Sequence, residues 1–147
     1  MLSLLEYQVL NACADDYEPF YYPFATANYG GQVFRRGGTP VHARYEDQGP
    51  WVVSIGPGEI LDAIQSLLEA GFLEAWRLPG HGPADRERIY ALSYSDREVY
   101  GGYGCVTFED HIEKLDYGPH EFRATAEGRV EIALPQYDQY DIELGWR

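Results

Sequence analysis

Between residues 56 and 78 the chain reads GPGEILDAIQSLLEAGFLEAWRL, and apolar side chains recur there with the period of a helix. Ile60, Leu61, Ile64, Leu67 and Leu68 fall on one face, while Glu59, Asp62, Gln65, Ser66 and Glu69 occupy the opposite arc. Gly56 is placed as N-cap, with Pro57 at the first helical position, where no N–H is needed. Glu59 lies in the first turn, facing the positive end of the helix dipole. Gly71 supplies a left-handed stop, and FLEAWRL then alternates like a half-buried strand over 72–78. A first helix is predicted over residues 2–15. Ser3 and Glu6 form its capping box, Leu2 and Tyr7 are set for a hydrophobic staple, and Leu5, Val9, Leu10, Ala12 and Cys13 make its buried face.

Elsewhere the pattern is weaker. Pro19 and Pro23 leave room only for a short helix that starts near one of them and runs toward Asn28, followed by a loop or hairpin closed by glycine pairs over 29–40. Short strands fit 41–45 and 51–55. PGHGPADRE at 79–87 is turn chemistry, and RIYALSY at 88–94 reads as the returning strand. Thr107 is placed to cap a short helix over 108–116. HEFRAT and RVEIAL flank AEG as a hairpin would, putting Phe122, Ala124, Val130, Ile132 and Leu134 on one face. A rival is a final helix capped by Thr125; the β-branched Val130 and Ile132 favour the strand. The acidic end, PQYDQYDIELGWR, is expected as an edge strand or a loose tail.

An amphipathic helix that ends in A-G-F-L-E and runs directly into a strand resembles the third helix and first wing strand of winged helix-turn-helix domains. Ile60, Leu61, Ile64, Leu67, Leu68, Gly71, Phe72, Leu73 and Glu74 carry that likeness. HEFRATAEGR at 120–129 is similar to the aromatic-x-x-T-x-E-G-R that closes the wing in this group. With the first helix, the resemblance covers about half the chain. It implies an α+β, winged-helix-like fold with a small helical core and an enlarged β wing. The whole of 1–147 is then one domain, with an insertion around 97–118 and a second helix somewhere in 15–50.

Charge changes what such a fold is expected to do. The 24 acidic residues outnumber 11 basic ones, for a formal net charge of −13, and that field repels polyanions unless a basic patch overrides it. A groove-reading helix leans on Arg and Lys, yet none occurs from 56 to 76, and three carboxylates sit on the exposed arc. Arginines do occur in the wing, at Arg77, Arg86 and Arg88, with Arg35 and Arg36 as a second basic point. They are the expected DNA contacts if the chain is a winged-helix DNA-binding transcriptional regulator, acting as a homodimer to accumulate charge. The 13 tyrosines point another way. Tyr21, Tyr22, Tyr100 and Tyr103 cluster outside the core periodicity, and tyrosine is enriched at protein interfaces; the same rings equally suit the core of a loop-rich domain. The leading expectation is therefore a non-catalytic, acidic interaction or regulatory module that binds a basic protein. Its contacts would be Glu59, Asp62, Gln65, Ser66 and Glu69 on the helix, with those tyrosines.

Other chemistries find little support. WVVSIGPGEI has Leu61 where a dinucleotide loop needs its third glycine, and Pro57 removes a phosphate donor. His42, His81, His111 and His120 have no metal-site spacing, and nothing around Cys105 marks a reactive thiol. No cofactor, metal or catalytic residue is expected. With two cysteines, no basic leader segment and no long apolar run, the chain reads as a cytoplasmic protein without membrane contact.

Overall fold

The computed structural model describes residues 1–14, 57–78, 85–98 and 120–146. Helix α1 (Leu4–Cys13) begins at the reciprocal cap read from the sequence. The Glu6 N–H donates to Ser3 Oγ at 3.1 Å, and the Ser3 N–H donates to the Glu6 carboxylate at 2.8 Å. Tyr7, Val9, Leu10, Ala12 and Cys13 are buried, and Leu5 is half-buried against them. Helix α2 (Pro57–Glu69) buries Ile60, Leu61, Ile64, Leu67 and Leu68 as its periodicity predicts. It stops at Gly71, whose φ of +80° suits a residue without Cβ. There the Gly71 N–H reaches the Leu68 carbonyl at 3.1 Å and the Phe72 N–H reaches Leu67 at 2.9 Å, the paired bonds of a Schellman end.

That turn delivers the chain into β1 (Leu73–Arg77), the central strand of an antiparallel sheet ordered β2-β1-β3, with β2 at Glu87–Ile89 and β3 at His120–Ala124. Ala75 pairs with Ile89 on one side and Phe122 on the other. Strand alternation then turns Leu73, Ala75, Ile89, Phe122 and Ala124 toward the helices, where all five are buried. Glu74, Trp76, Arg88, Glu121 and Arg123 fall on the opposite face. Helix α1 packs on α2, β3 and the later helix α4 (Ala126–Ile132). The architecture is α+β: five α-helices and a three-stranded antiparallel sheet among the described residues.

Three expectations are corrected. The returning strand is short, because Ser93 caps a helix, α3 (Tyr94–Glu98), inside the segment expected as strand 88–94. The Ser93 N–H donates to Asp96 at 2.9 Å and the Asp96 N–H donates to Ser93 Oγ at 3.1 Å, a reciprocal cap that a strand could not make. The AEG segment does not turn a hairpin; it opens α4. Thr125 Oγ1 accepts from the Gly128 N–H at 3.1 Å and donates to the Gly71 carbonyl at 2.7 Å, while its N–H donates to Phe72 O at 3.0 Å. These bonds outweigh the strand preference of Val130, which is exposed rather than on a shared apolar face.

The acidic end is neither edge strand nor tail. A 3-10 turn (Pro135–Tyr137) leads into α5 (Asp138–Glu143). Tyr137, Tyr140 and Leu144 recur there at helical spacing and pack on the core. Tyr137 stacks on Tyr7 at 5.1 Å between centroids. Its hydroxyl accepts from the Leu2 N–H at 2.9 Å and donates to Glu131 at 2.6 Å, and burial, then the Glu131 bond, pushes its pKa up. Gly145 (φ +74°) ends α5 in a second Schellman turn that swings Trp146 back, 5.8 Å from the Tyr7 ring.

Candidate functional site

The arc of α2 opposite its buried face is anionic, and the structure divides it in two. Asp62 forms a salt bridge with Arg97 of α3, although its side chain keeps 73% exposure. Gln65 accepts from the Leu92 N–H at 2.9 Å and donates to Glu69 at 3.0 Å. The segment leading into α3 therefore covers part of the arc. Ser66 and Glu69 stand exposed, and Glu59 is half-buried in the first turn. Tyr21, Tyr22, Tyr100, Tyr103, Arg35 and Arg36 lie outside the described residues, as do residues 15–56, most of the 97–118 insertion, Cys105, His42, His81 and His111.

On the outer face of the sheet, register gathers three arginines around one ring. The Arg86, Arg88 and Arg123 guanidinium carbons lie 4.5, 5.2 and 5.9 Å from the Trp76 ring centroid, and Arg88 also lies 5.0 Å from Tyr90. Each guanidinium also meets a carboxylate. Arg86 reaches Glu121 at 3.1 Å, Arg123 reaches Glu121 at 2.7 Å, and Arg88 reaches Glu74 at 3.2 Å. Glu121, with 1% side-chain exposure, thus sits buried between two arginines, the arrangement a buried carboxylate requires.

Arg77 points to the other face, at the end of the sheet's buried side. Its Nε and Nη2 grip Asp96 at 2.8 and 2.9 Å in a two-pronged bond, and Nη1 reaches Glu87 at 3.0 Å. Asp96 also meets His120 Nε2 at 3.0 Å and accepts from Ser93 Oγ at 2.9 Å. Burial by itself would raise the Asp96 carboxyl. Hydrogen bonds from Arg77, Ser93 and His120 outweigh it and hold the group well below the usual carboxylate range. An ionised Asp96 only accepts, so His120 carries its proton on Nε2. Burial lowers the His120 pKa against the pull of Asp96, which keeps the ring neutral. A histidine held by an aspartate is half of a proton relay, but His120 and Asp96 are 1% and 3% exposed. The arrangement locks β1, α3 and β3 together.

Arg129 donates to the Ala14 carbonyl at 2.8 Å, so every arginine side chain among the described residues has a carboxylate or carbonyl partner. Among the same residues no group of His, Cys, Asp or Glu is placed to hold a metal, and no helix is long and apolar enough to cross a membrane. Cys13 is a buried free thiol whose pKa burial pushes far up, away from the reactive thiolate.

Sequence reasoning named Arg77, Arg86 and Arg88 but missed their partners Asp96, Glu121 and His120, and also Arg123. The Ser93-x-x-Asp96 cap was visible as a helix start. Glu121 and Arg123 were not, because only the register of β3 against β1 sets them beside Trp76. Compared with models of known families, with curated proteins and with solved structures, the chain shows no significant match.

Proposed function

We propose that the chain is a non-catalytic, acidic interaction module, winged-helix-like in fold, that binds a basic protein in the cytoplasm. The fold reading draws support from the order of elements: α2 turns at Gly71 into β1, β2 returns, and β3 leads through Thr125 into a capped helix. One observation carries the functional reading: the described arginines are all engaged internally, while Glu69 and Ser66 stand open on the α2 arc. These ion pairs leave the net charge unchanged, and the chain's −13 sets the sign of the field that an approaching molecule meets. Complementary charge speeds capture of a cationic partner and fixes its orientation. The burial of His120 and Asp96, out of reach of any substrate, supports a module without catalysis.

The test is fluorescence anisotropy of a labelled arginine–serine repeat peptide at low salt. Binding is expected to weaken about tenfold when Ser66→Arg and Glu69→Arg reverse the open part of the arc. Unchanged affinity in that variant, or no binding by the parent chain, contradicts the reading. A second reading, a winged-helix DNA-binding regulator, is favoured by the three guanidiniums around Trp76. Against it, Arg86 and Arg123 both hold the buried Glu121 and Arg88 holds Glu74, so a phosphate would compete with a carboxylate at each guanidinium.

A further inference from the structure

Asp62, Gln65, Ser66 and Glu69 recur at helical spacing, so they line one stripe along the outer side of α2. The chain itself lies across one end of that stripe. The Leu92 N–H donates to Gln65, and further on Arg97 Nη2 donates to Asp62. The segment between is anchored independently of these bonds. Leu92 packs against the core, and Asp96 is held by Arg77 of β1 and His120 of β3, so α3 stays in place without Arg97. Arg97 reaches the stripe with its side chain alone. That side chain keeps 33% exposure and the one of Asp62 keeps 73%, so their bond faces solvent.

We infer that Arg97 is a built-in competitor for the α2 stripe: it occupies Asp62 in the free protein and yields to an arginine of the basic partner. The inference rests on the proposed acidic module and adds a regulation of that same surface. Exposed ion pairs contribute little, so this one is weak enough to exchange. An incoming guanidinium gives Asp62 the same charge-assisted bond that Arg97 gives up. The Arg97 side chain can swing aside while the bonds of Asp96 hold the helix that carries it. The device also selects. A tethered guanidinium acts at a high effective concentration, so a lone cation displaces it poorly. A basic segment that covers Ser66 and Glu69 as well gains further contacts, and those drive the exchange.

Anisotropy of the labelled arginine–serine repeat peptide, on the full chain at low salt, tests the inference. Arg97→Gln is expected to tighten binding about threefold, the effect of setting one exposed pair free. Arg88→Gln removes the same charge from the outer face of the sheet, away from α2, and should tighten it less. In an Asp62→Asn background the extra gain from Arg97→Gln should vanish, because the contested carboxylate is gone. Equal gains from Arg97→Gln and Arg88→Gln, or an extra gain that survives Asp62→Asn, overturn the inference. In that event binding that still weakens in the Ser66→Arg, Glu69→Arg variant leaves the acidic module standing. If the parent chain does not bind the peptide, the module fails and the competitor with it. Should Arg97→Gln lose helix by circular dichroism, the parent chain decides. Its Arg97 Nε–H NMR signal should move, as peptide is added, toward the position it has in Asp62→Asn. A signal that stays fixed while the peptide binds overturns the inference.

Discussion

Asp96→Ala should destabilise the fold by about 3 kcal/mol, read as a lower midpoint in urea with the slope unchanged. The carboxylate has 3% exposure and holds three elements at once: β1 through Arg77, β3 through His120, and its own helix through Ser93. Removing one partner of such a cluster leaves the others desolvated and unpaired, which is why the loss exceeds that of a surface ion pair. Arg77 keeps 35% exposure and recovers some hydration, so the expected value sits at the low end of what buried pairs show. A loss below about 1 kcal/mol would mean that the cluster is not holding the sheet.

The same cluster sets an acid limit. The folded-state pKa of His120 is depressed, so the unfolded chain takes up a proton there first. Stability therefore begins to fall as the pH drops below about 6.5, the ordinary histidine value. Asp96 is depressed too, so its contribution is complete above about pH 4 and is lost as the pH falls further, toward its folded-state pKa. Asp96→Ala should erase the second stage, and urea midpoints across the acid range would show it.

Gly128→Ala is the second large effect, about 3 kcal/mol or more, the upper end of overpacking costs. A Cβ on Gly128 would lie 2.2 Å from the Phe72 carbonyl oxygen and 3.1 Å from Leu10 Cδ1. The nearer atom is backbone and cannot rotate away. The same Phe72 carbonyl accepts the Thr125 N–H, so moving α4 away from Phe72 breaks the bond that ties its N-cap residue to the turn after α2. Thermal unfolding of the variant checks this, and an unchanged Tm would mean that α4 does not sit against Phe72.

The backbone of the fold was legible where side-chain chemistry is local. The Ser3/Glu6 cap, the apolar face of α2 and the glycine stop at Gly71 depend on residues within one or two turns of each other, and all three stand as read. The errors arose where two local signals compete. At 125–132 a threonine cap opposed two β-branched residues, and a long-range bond from Thr125 to Gly71 decided it. At 135–144 tyrosines spaced for a helix were hidden among aspartates, and the anchor for Tyr137 is Leu2, at the far end of the sequence. The charged surface was half legible. Composition fixes the sign of the field, and the arginines were named, but which carboxylate neutralises which arginine depends on strand register.

The central claim is that this surface favours cations over polyanions. Anisotropy measured side by side, with a labelled DNA duplex and with a labelled arginine-rich peptide in the same low-salt buffer, tests it most directly. We predict binding of the peptide, weakened as salt screens it, and no binding of the duplex. Duplex binding that disappears in an Arg86→Ala, Arg88→Ala variant, with no binding of the peptide, would contradict the account.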